Sequence, residues 1–279
     1  MDILSAQDIK QLLEKHGIHA KKSLGQNFLI DEKALQDMVQ AANLSKQDTV
    51  VEIGPGLGAL TKELIEKAGR VIAIEKDDTF ARLLPEILGN PVNLEVVHKD
   101  ILQLNVKYQI SNVKHYKVVA NLPYGITSPV IRKFLEEVGQ KPKLLVLTVQ
   151  KEVAQRICSA PPKSNFLAVS VQYYGTPNIV SYVDRKSFWP VPAVDSAIIS
   201  IIPHSTFPDE TKSALFFSVV KAGFKQPKKQ LINNLAALFQ GNKEKAAQWL
   251  RSQGVDFSRR AGTLTIEEWQ TLAKNAQER

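Results

Sequence analysis

The sequence predicts an α/β fold, in which a largely parallel sheet covered by helices on both faces precedes a smaller C-terminal helical domain. Between about residues 49 and 149, short β-rich runs alternate with helical patterns, an order typical of parallel sheets. A glycine loop follows the first run, and from about residue 209 helical patterns rich in Leu, Ala, Lys and Gln replace the β pattern. We predict one domain over residues 1–205, which includes an N-terminal helix and the segment that follows it at 1–30, and a helical domain over residues 206–279.

The helix boundaries follow from capping residues. Ser5 with Asp8 forms a capping box for a first helix that ends at Gly17. Ser128 and Pro129 are expected to be the N-cap and first-turn residues of another helix, over residues 130–138. A helix over residues 59–68 follows the glycine loop, and residues 20–26 form a polar link. The predicted strands are Thr49–Ile53, Arg70–Ile74, Asn93–Val97, Tyr116–Ala120, Leu144–Val149, and an edge pair, Asn178–Val183 and Ala197–Ile202.

The composition favours a folded protein of the compartment in which it is made. Of 279 residues, 44% are hydrophobic, which is enough for a sizeable core. The longest apolar runs are far shorter than the ~20 residues that span a bilayer, and the N-terminus lacks a secretory pattern. A single cysteine, Cys158, excludes an intrachain disulfide and suits a reducing cytosol. The histidines are scattered, so we expect no metal site.

A formal charge of +8 suggests a polyanionic partner, because lysine and arginine neutralise phosphates. Charge alone leaves open an ordinary solvated basic surface. Part of the positive charge lies in two short segments of the helical domain. The residues that we expect to hold the phosphates of such a partner are Lys225, Lys228, Lys229, Arg259 and Arg260, and a solvated helix face is the alternative.

Glycine and acidic residues follow successive predicted strands in the pattern of a cofactor site. Gly54, Gly56 and Gly58 come directly after the first strand and lead into a helix, where small residues allow close approach of a ligand. Glu75, about 20 residues past the first glycine, is placed to accept hydrogen bonds from ribose hydroxyls. Asp100 follows the third strand, where it would lie beside the adenine of a bound cofactor. The G-x-G-x-G pattern favours S-adenosylmethionine, which has no pyrophosphate, although an NAD enzyme remains open at this point.

The tetrapeptide Asn121-Leu122-Pro123-Tyr124 after the fourth strand indicates methylation of an exocyclic amine on a base. Such a nitrogen is a poor nucleophile because its lone pair is delocalised into the ring. The Asn121 side-chain oxygen and a backbone carbonyl of the Leu122–Pro123 segment can each accept one N–H, and proline holds that carbonyl in place. Tyr124 can stack on the flipped base. In isolation, the tetrapeptide could be an ordinary turn.

The motifs together carry a resemblance that covers nearly the whole chain. The sequence resembles the ribosomal RNA small-subunit adenine dimethyltransferase family. This resemblance implies a Rossmann-like class I S-adenosylmethionine-dependent methyltransferase sheet. It also implies an enzyme that dimethylates two adjacent adenosines near the 3′ end of 16S rRNA and takes part in subunit assembly. We expect it to be a monomer. The matching segments are Lys22-Ser-Leu-Gly-Gln-Asn-Phe-Leu29, Glu52-Ile-Gly-Pro-Gly-Leu-Gly58, Asn121-Leu-Pro-Tyr124, Gln150-Lys-Glu-Val153, Phe188-x-Pro-x-Pro192, Val194-Asp-Ser196 and Phe224-Lys-Gln-Pro-Lys-Lys229.

The resemblance also implies roles that the residues alone do not indicate. Asn27 and Leu29 would close over the cofactor, and Phe188 would lie on the opposite face of the target adenine from Tyr124. Without the resemblance, Phe188 would be read as a core aromatic. Two other functions remain: a related large-subunit methyltransferase of the macrolide-resistance type, and a binding protein that clamps immature small subunits with catalysis secondary.

Overall fold

The computed structural model describes residues 3–17, 26–110, 112–206 and 209–276. The predicted polar link over residues 20–26 lies outside them, apart from Gln26. The strands are β1 (Phe28–Leu29), β2 (Thr49–Ile53), β3 (Arg70–Glu75), β4 (Leu94–His98), β5 (Tyr116–Asn121), β6 (Leu144–Gln150), β7 (Gly175–Val183), β8 (Phe188–Trp189) and β9 (Ser196–Pro203).

The helices lie between and after these strands. They are α1 (Ala6–Lys15), α2 (Glu32–Ala42), α3 (Ala59–Lys67), α4 (Asp78–Ile87), α5 (Val106–Gln109), α6 (Thr127–Arg132), α7 (Lys151–Ile157), α8 (Phe166–Gln172), α9 (Glu210–Gly223), α10 (Leu231–Leu235), α11 (Lys243–Ser252) and α12 (Ile266–Lys274).

Seven strands form one sheet in the order β4-β3-β2-β5-β6-β9-β7. The pairs from β4 to β6 are parallel, and β9 pairs with β6 in the antiparallel sense. The α/β sheet is confirmed, and β9 and β7 are neighbours at its edge, as expected. Because parallel strands end at the same side, the residues that follow β2, β3, β4 and β5 meet there.

Local structure confirms one predicted helix start and corrects another. The Asp8 N–H donates to Ser5 Oγ at 3.2 Å, so Ser5 caps α1 as expected. The helix expected to begin after Ser128 begins at Thr127 instead, because a 3₁₀ turn over Tyr124–Ile126 leads straight into it. Ser128 therefore lies inside the first turn and is not the cap, while Pro129 keeps its place there.

Two compact units divide the chain. The first contains residues Met1–Ala154 and Pro177–Pro203, and the second contains Gln155–Thr176 and His204–Arg279. Our sequence boundary at residue 205 placed residues 155–176 in the first domain. In the structure they group with the second unit because Tyr173 stacks on Phe216 of α9, with ring centroids 3.8 Å apart. Within the second unit, a Cβ at Gly223 would come within 2.4 Å of the Trp269 ring, so this glycine permits the close packing of α9 and α12. Among the described residues, every helix is too short or too polar to cross a membrane.

Candidate active site

A cavity of about 430 Å³ lies in the first unit, where the parallel strands end. Segments from before α2 and after β2, β3, β4 and β5 contribute to its wall. The predicted site residues that line it are Asn27, Leu29, Gly54, Gly56, Glu75, Asp100, Asn121, Leu122, Pro123, Tyr124 and Phe188. The structure therefore brings together residues that are far apart in the sequence.

The glycines of the loop after β2 have two different roles: two of them line the cavity, and one leaves room for a neighbouring helix. Gly54 and Gly56 line the cavity with φ angles of +66° and +56°, which side chains rarely adopt. A Cβ on Gly56 would also lie 3.2 Å from the Phe28 ring. Gly58, predicted to contact the cofactor, is not among the lining residues. A Cβ there would lie 2.7 Å from a Leu84 methyl, so Gly58 allows packing of the loop against α4.

Glu75 is built into the cavity floor. Its Oε2 accepts a hydrogen bond from the Gly56 N–H at 3.1 Å, and its Oε1 accepts one from the Asp77 N–H at 2.8 Å. Burial raises the pKa of Glu75, and the two N–H donors oppose that rise. The carboxyl group therefore holds the glycine loop in place and presents its remaining lone pairs to the cavity.

Asp100 is oriented by its own turn and by a neighbouring cation. Its Oδ1 accepts from the Leu102 N–H at 2.9 Å, and its Oδ2 lies 3.0 Å from the Lys76 ammonium. Partial burial raises the pKa of Asp100, but these two partners lower it more, and the net pKa lies below its usual value. Lys76 also lines the cavity and was not predicted.

Glu52 is the main lining residue that the cofactor assignment from sequence missed. Its side chain is buried, and Oε2 has no hydrogen-bond partner among the described residues. Burial raises the pKa of Glu52 to about 8; the nearby Thr61 hydroxyl opposes this rise, and the Glu75 charge adds a smaller contribution to it. A carboxyl group within an otherwise apolar strand was the available signal. Such a group is costly to bury without a partner, which suits a ligand that brings N–H or O–H donors.

Asn121 ends β5 and is oriented by the segment before α2. Its Nδ2 donates to the Asn27 carbonyl oxygen at 3.2 Å. This bond turns the amide so that Oδ1 points away from Asn27. Pro123 has φ −56° and ψ 131°, and its carbonyl accepts from the Ile126 N–H. The segment that follows β5 is thus held by its own turn.

Tyr124 and Phe188 both line the cavity but differ in burial. The Tyr124 ring is half-buried, and its hydroxyl lies 2.8 Å from Ser196 Oγ. Phe188 is only 1% exposed and belongs to the core cluster that includes Leu29 and Met38. It is therefore a core aromatic and a wall residue at once.

Strands β1 and β8 join the Asn27 segment to the Phe188 segment. Leu29 pairs with Phe188, and Phe28 pairs with Trp189 and stacks on it. Nearby, the Ser187 hydroxyl donates to Asp31 Oδ2 at 2.6 Å, a bond that lowers the pKa of Asp31. These contacts therefore connect the segment before α2 with the Phe188 segment, both of which line the cavity.

In the second unit, the two predicted basic segments lie side by side. Gln230 forms an antiparallel bridge with Arg260, and the Leu231 N–H donates to the Arg259 carbonyl at 2.7 Å. Of the residues predicted to hold phosphates, four are exposed, namely Lys225, Lys228, Lys229 and Arg260. Arg259 instead turns inward. Its guanidinium contacts Glu268 at 2.6 and 3.0 Å and also donates to Thr263, so its place is in a structural ion pair.

Comparison with known proteins gives concordant matches. A model of the family described as Ribosomal RNA adenine dimethylase matches residues 17–278. Ribosomal RNA small subunit methyltransferase A of Dehalococcoides mccartyi (strain CBDB1) is 43% identical over 264 residues, covering 94% of this chain and 90% of that protein. The protein of the same name from Alkaliphilus oremlandii (strain OhILAs) is 39% identical over 280 residues, covering 98% and 97%.

Solved structures agree on the fold. The crystal structure of 23S rRNA methyltransferase ErmE superposes with a TM-score of 0.73 at 27% identity, covering 90% of this chain and all of that one. A dimethyladenosine transferase from Plasmodium falciparum superposes with a TM-score of 0.75 at 25% identity, covering 89% and 96%. The expected class I methyltransferase fold, with a helical C-terminal region, is confirmed.

Proposed function

The chain belongs to the ribosomal RNA adenine dimethylase family, and we propose that this 16S rRNA adenine N6,N6-dimethyltransferase binds its methyl donor and its target adenine in the cavity of the first unit. One observation carries the proposal. The residues assigned to the methyl donor, Glu75 and Asp100, line the same cavity as the residues assigned to the base, Asn121 and Tyr124.

The cavity fits S-adenosylmethionine, the methyl donor that the family implies. Gly54 and Gly56 leave room for a ligand to approach the backbone closely. Glu52, Glu75 and Asp100 supply acceptors for a ligand rich in amine and hydroxyl donors. The Gly56 N–H of the loop is already donated to Glu75 and is not available to a pyrophosphate, which disfavours the NAD alternative.

The donor supplies an electrophilic methyl group on a sulfonium. The residues of the chain must make the lone pair of the adenine N6 available and direct it at that methyl group. We assign Asn121 Oδ1 and the carbonyl of the Leu122–Pro123 segment as acceptors for the two N6 hydrogens. Asn27 holds the amide of Asn121, and the turn that ends at Ile126 holds the backbone of the Leu122–Pro123 segment, so we expect little reorganisation during the reaction.

As the N–C bond forms, the C–S bond breaks and a neutral thioether leaves. The proton on the alkylated nitrogen is acidic enough to pass to water, so no strong base is required. Tyr124 provides a face for stacking, worth ~1–3 kcal/mol per base. We propose Phe188 as the second wall, with its position determined by the pairing with Leu29.

The identities favour a small-subunit substrate over a large-subunit one. The relatives named for the small subunit are 39–43% identical over at least 90% of both chains, whereas the 23S enzyme is 27% identical. The exposed cations of the second unit, Lys225, Lys228, Lys229 and Arg260, fit contacts with rRNA phosphates. Such a surface also fits a part in subunit assembly. A cytoplasmic monomer stays our expectation.

Methylation of purified ribosomal particles tests the proposal. Unmethylated small and large subunits are each incubated with the protein and with S-adenosylmethionine labelled in the methyl group, and the modified nucleosides are then mapped. We expect label in N6,N6-dimethyladenosine near the 3′ end of 16S rRNA. Label confined to large subunits would establish the macrolide-resistance type. Donor-independent binding without any label would establish a binding protein.

A further inference from the structure

A hydrogen bond joins the hydroxyl groups of Tyr124 and Ser196, which lie on different elements of the first unit. Their oxygens are 2.8 Å apart. Tyr124 begins the 3₁₀ turn after β5, and Ser196 is the first residue of β9. The bond therefore ties a wall of the cavity to a strand near the edge of the sheet. Ser196 itself is not a lining residue.

Ser196 offers a rigid anchor. Its side chain is fully buried, and its backbone pairs with Gln150 in the antiparallel register of β6 and β9. Directly before it, the Asp195 carbonyl accepts from the Lys151 N–H at 3.0 Å. Because the backbone is held in this way, the position of the Ser196 hydroxyl oxygen depends on a single side-chain torsion, and burial restricts that torsion.

The other end of Tyr124 is held as well. The Thr127 N–H donates to the Tyr124 carbonyl, and the Ile126 N–H donates to the Pro123 carbonyl at 3.1 Å. With backbone and hydroxyl both tethered, the long axis of the ring has a fixed direction. Burial raises the pKa of Tyr124, with a further contribution from the Asp195 charge and an opposing one from Ser196, so the hydroxyl stays protonated and keeps this bond at neutral pH.

We propose that Ser196 is a positioning residue for methyl transfer, which acts by holding the Tyr124 ring where the target adenine stacks. This inference rests on the proposed function, because the adenine is the group that the ring contacts. A ring released from Ser196 orients the base less well. The rate at saturating donor and RNA should then fall, while the donor, which does not contact Ser196, should bind as before.

A double-mutant cycle tests this role, with Ser196→Ala, Tyr124→Phe and the double variant. The readout is the single-turnover rate of methyl transfer at saturating concentrations, on whichever ribosomal subunit the wild-type protein methylates. We expect Ser196→Ala to slow wild type roughly 2- to 10-fold, the range for one neutral hydrogen bond. Added to Tyr124→Phe, it should slow the reaction no further, because the tyrosine hydroxyl is already absent. The Kd of S-adenosylmethionine and the unfolding midpoint serve as controls for each variant.

Equal slowing in both backgrounds would mean that Ser196 acts through strand packing, and would overturn the proposal. An unchanged rate for Ser196→Ala would overturn it too. A second measurement needs no RNA: in protein labelled with ¹³C at the tyrosine ring, the Tyr124 resonance, identified by its loss in Tyr124→Phe, should shift in Ser196→Ala. A wild-type protein that methylates no subunit would defeat the proposed function. An unshifted resonance would separately defeat the anchoring role of Ser196.

Discussion

The side-chain nitrogen of Asn121 lies 3.2 Å from the backbone carbonyl oxygen of Asn27 and donates a hydrogen bond to it. The bond links the segment expected to close over the donor with the residue expected to accept the reacting amine. An amide that uses its N–H₂ group in this way has its oxygen turned in the opposite direction. We therefore expect closure of the Asn27 segment over the donor and orientation of the Asn121 amide to depend on the same hydrogen bond.

We predict that Asn121→Ala removes most methyl transfer while RNA binding stays nearly unchanged. Loss of one preorganised partner typically costs ~10²–10³ in rate, and the side chain is not placed to contact phosphates. Single-turnover methylation of small subunits measures the rate, and filter binding measures RNA affinity. A variant that transfers methyl groups at close to the wild-type rate would refute the assigned role.

The order of the motifs in the sequence predicted which residues meet around one cavity. Strand ends followed by glycine, acid or Asn-Leu-Pro-Tyr placed the lining residues correctly, because parallel strands bring their carboxyl ends together. The same reasoning predicted that Gly58 contacts the cofactor, but Gly58 does not line the cavity. A glycine required by Leu84 on α4 looks the same in sequence as one required by a ligand, and only the packing distinguishes them.

Arg259 and Ser128 show the same limit. Arg259 sits in a basic segment, but its partner Glu268 lies on α12 beyond a turn, and no local pattern identifies an ion pair across that turn. Ser128 has the right residue type for a cap, but the 3₁₀ turn before it had already started the helix. Glu52 was missed as a cofactor-site residue because its carboxyl group lies within a strand, whereas the acids assigned to the cofactor follow strands. A partner on another helix decided the role of Arg259, and the turn directly before the helix decided that of Ser128.

We predict that Glu75→Ala weakens S-adenosylmethionine binding more than Glu75→Gln does. Alanine removes the acceptor for the donor's hydroxyls together with the anchors for the Gly56 and Asp77 N–H groups. Each bond to a charged group is worth ~1.5–3 kcal/mol, so loss of one corresponds to at least about a tenfold weaker Kd. Glutamine keeps one oxygen and should lie between alanine and wild type. Calorimetry gives the three constants, and equal constants would show that the carboxyl group does not face the donor.

We predict that Glu52→Gln stabilises the ligand-free protein, increasingly so as the pH rises. The pKa of Glu52 is about 8 in the folded state and near its ordinary value of 4.5 when unfolded. The folded state therefore holds the proton more tightly, and the unfolding free energy of wild type falls between about pH 4.5 and 8, by at most ~1.4 kcal/mol per pH unit from this group. Glutamine does not titrate, so the unfolding free energy of the variant does not fall with pH on account of this residue.

Urea unfolding of both proteins across pH 4 to 9 checks the sign. The difference in unfolding free energy should be constant below about pH 4.5, grow up to about pH 8 and then level off. Parallel stability profiles across the whole range would mean that Glu52 ionises normally in the folded protein.

The last prediction concerns the exposed basic surface of the second unit. Lys228→Gln with Lys229→Gln should weaken binding to small subunits and flatten the plot of log affinity against log salt by ~0.7–0.9 for each phosphate that is no longer neutralised. The matched control is Lys243→Gln with Lys245→Gln, which removes the same charge from exposed positions on α11 of the same unit. Arg259→Gln should behave differently from both. It breaks the ion pair with Glu268, so it should lower the unfolding midpoint, with any loss of RNA affinity following from the fold. Filter binding at several salt concentrations and thermal unfolding separate the three cases. If the Lys228 and Lys229 variant kept its midpoint and bound small subunits with the affinity and salt slope of the control, the phosphates would have to contact another surface.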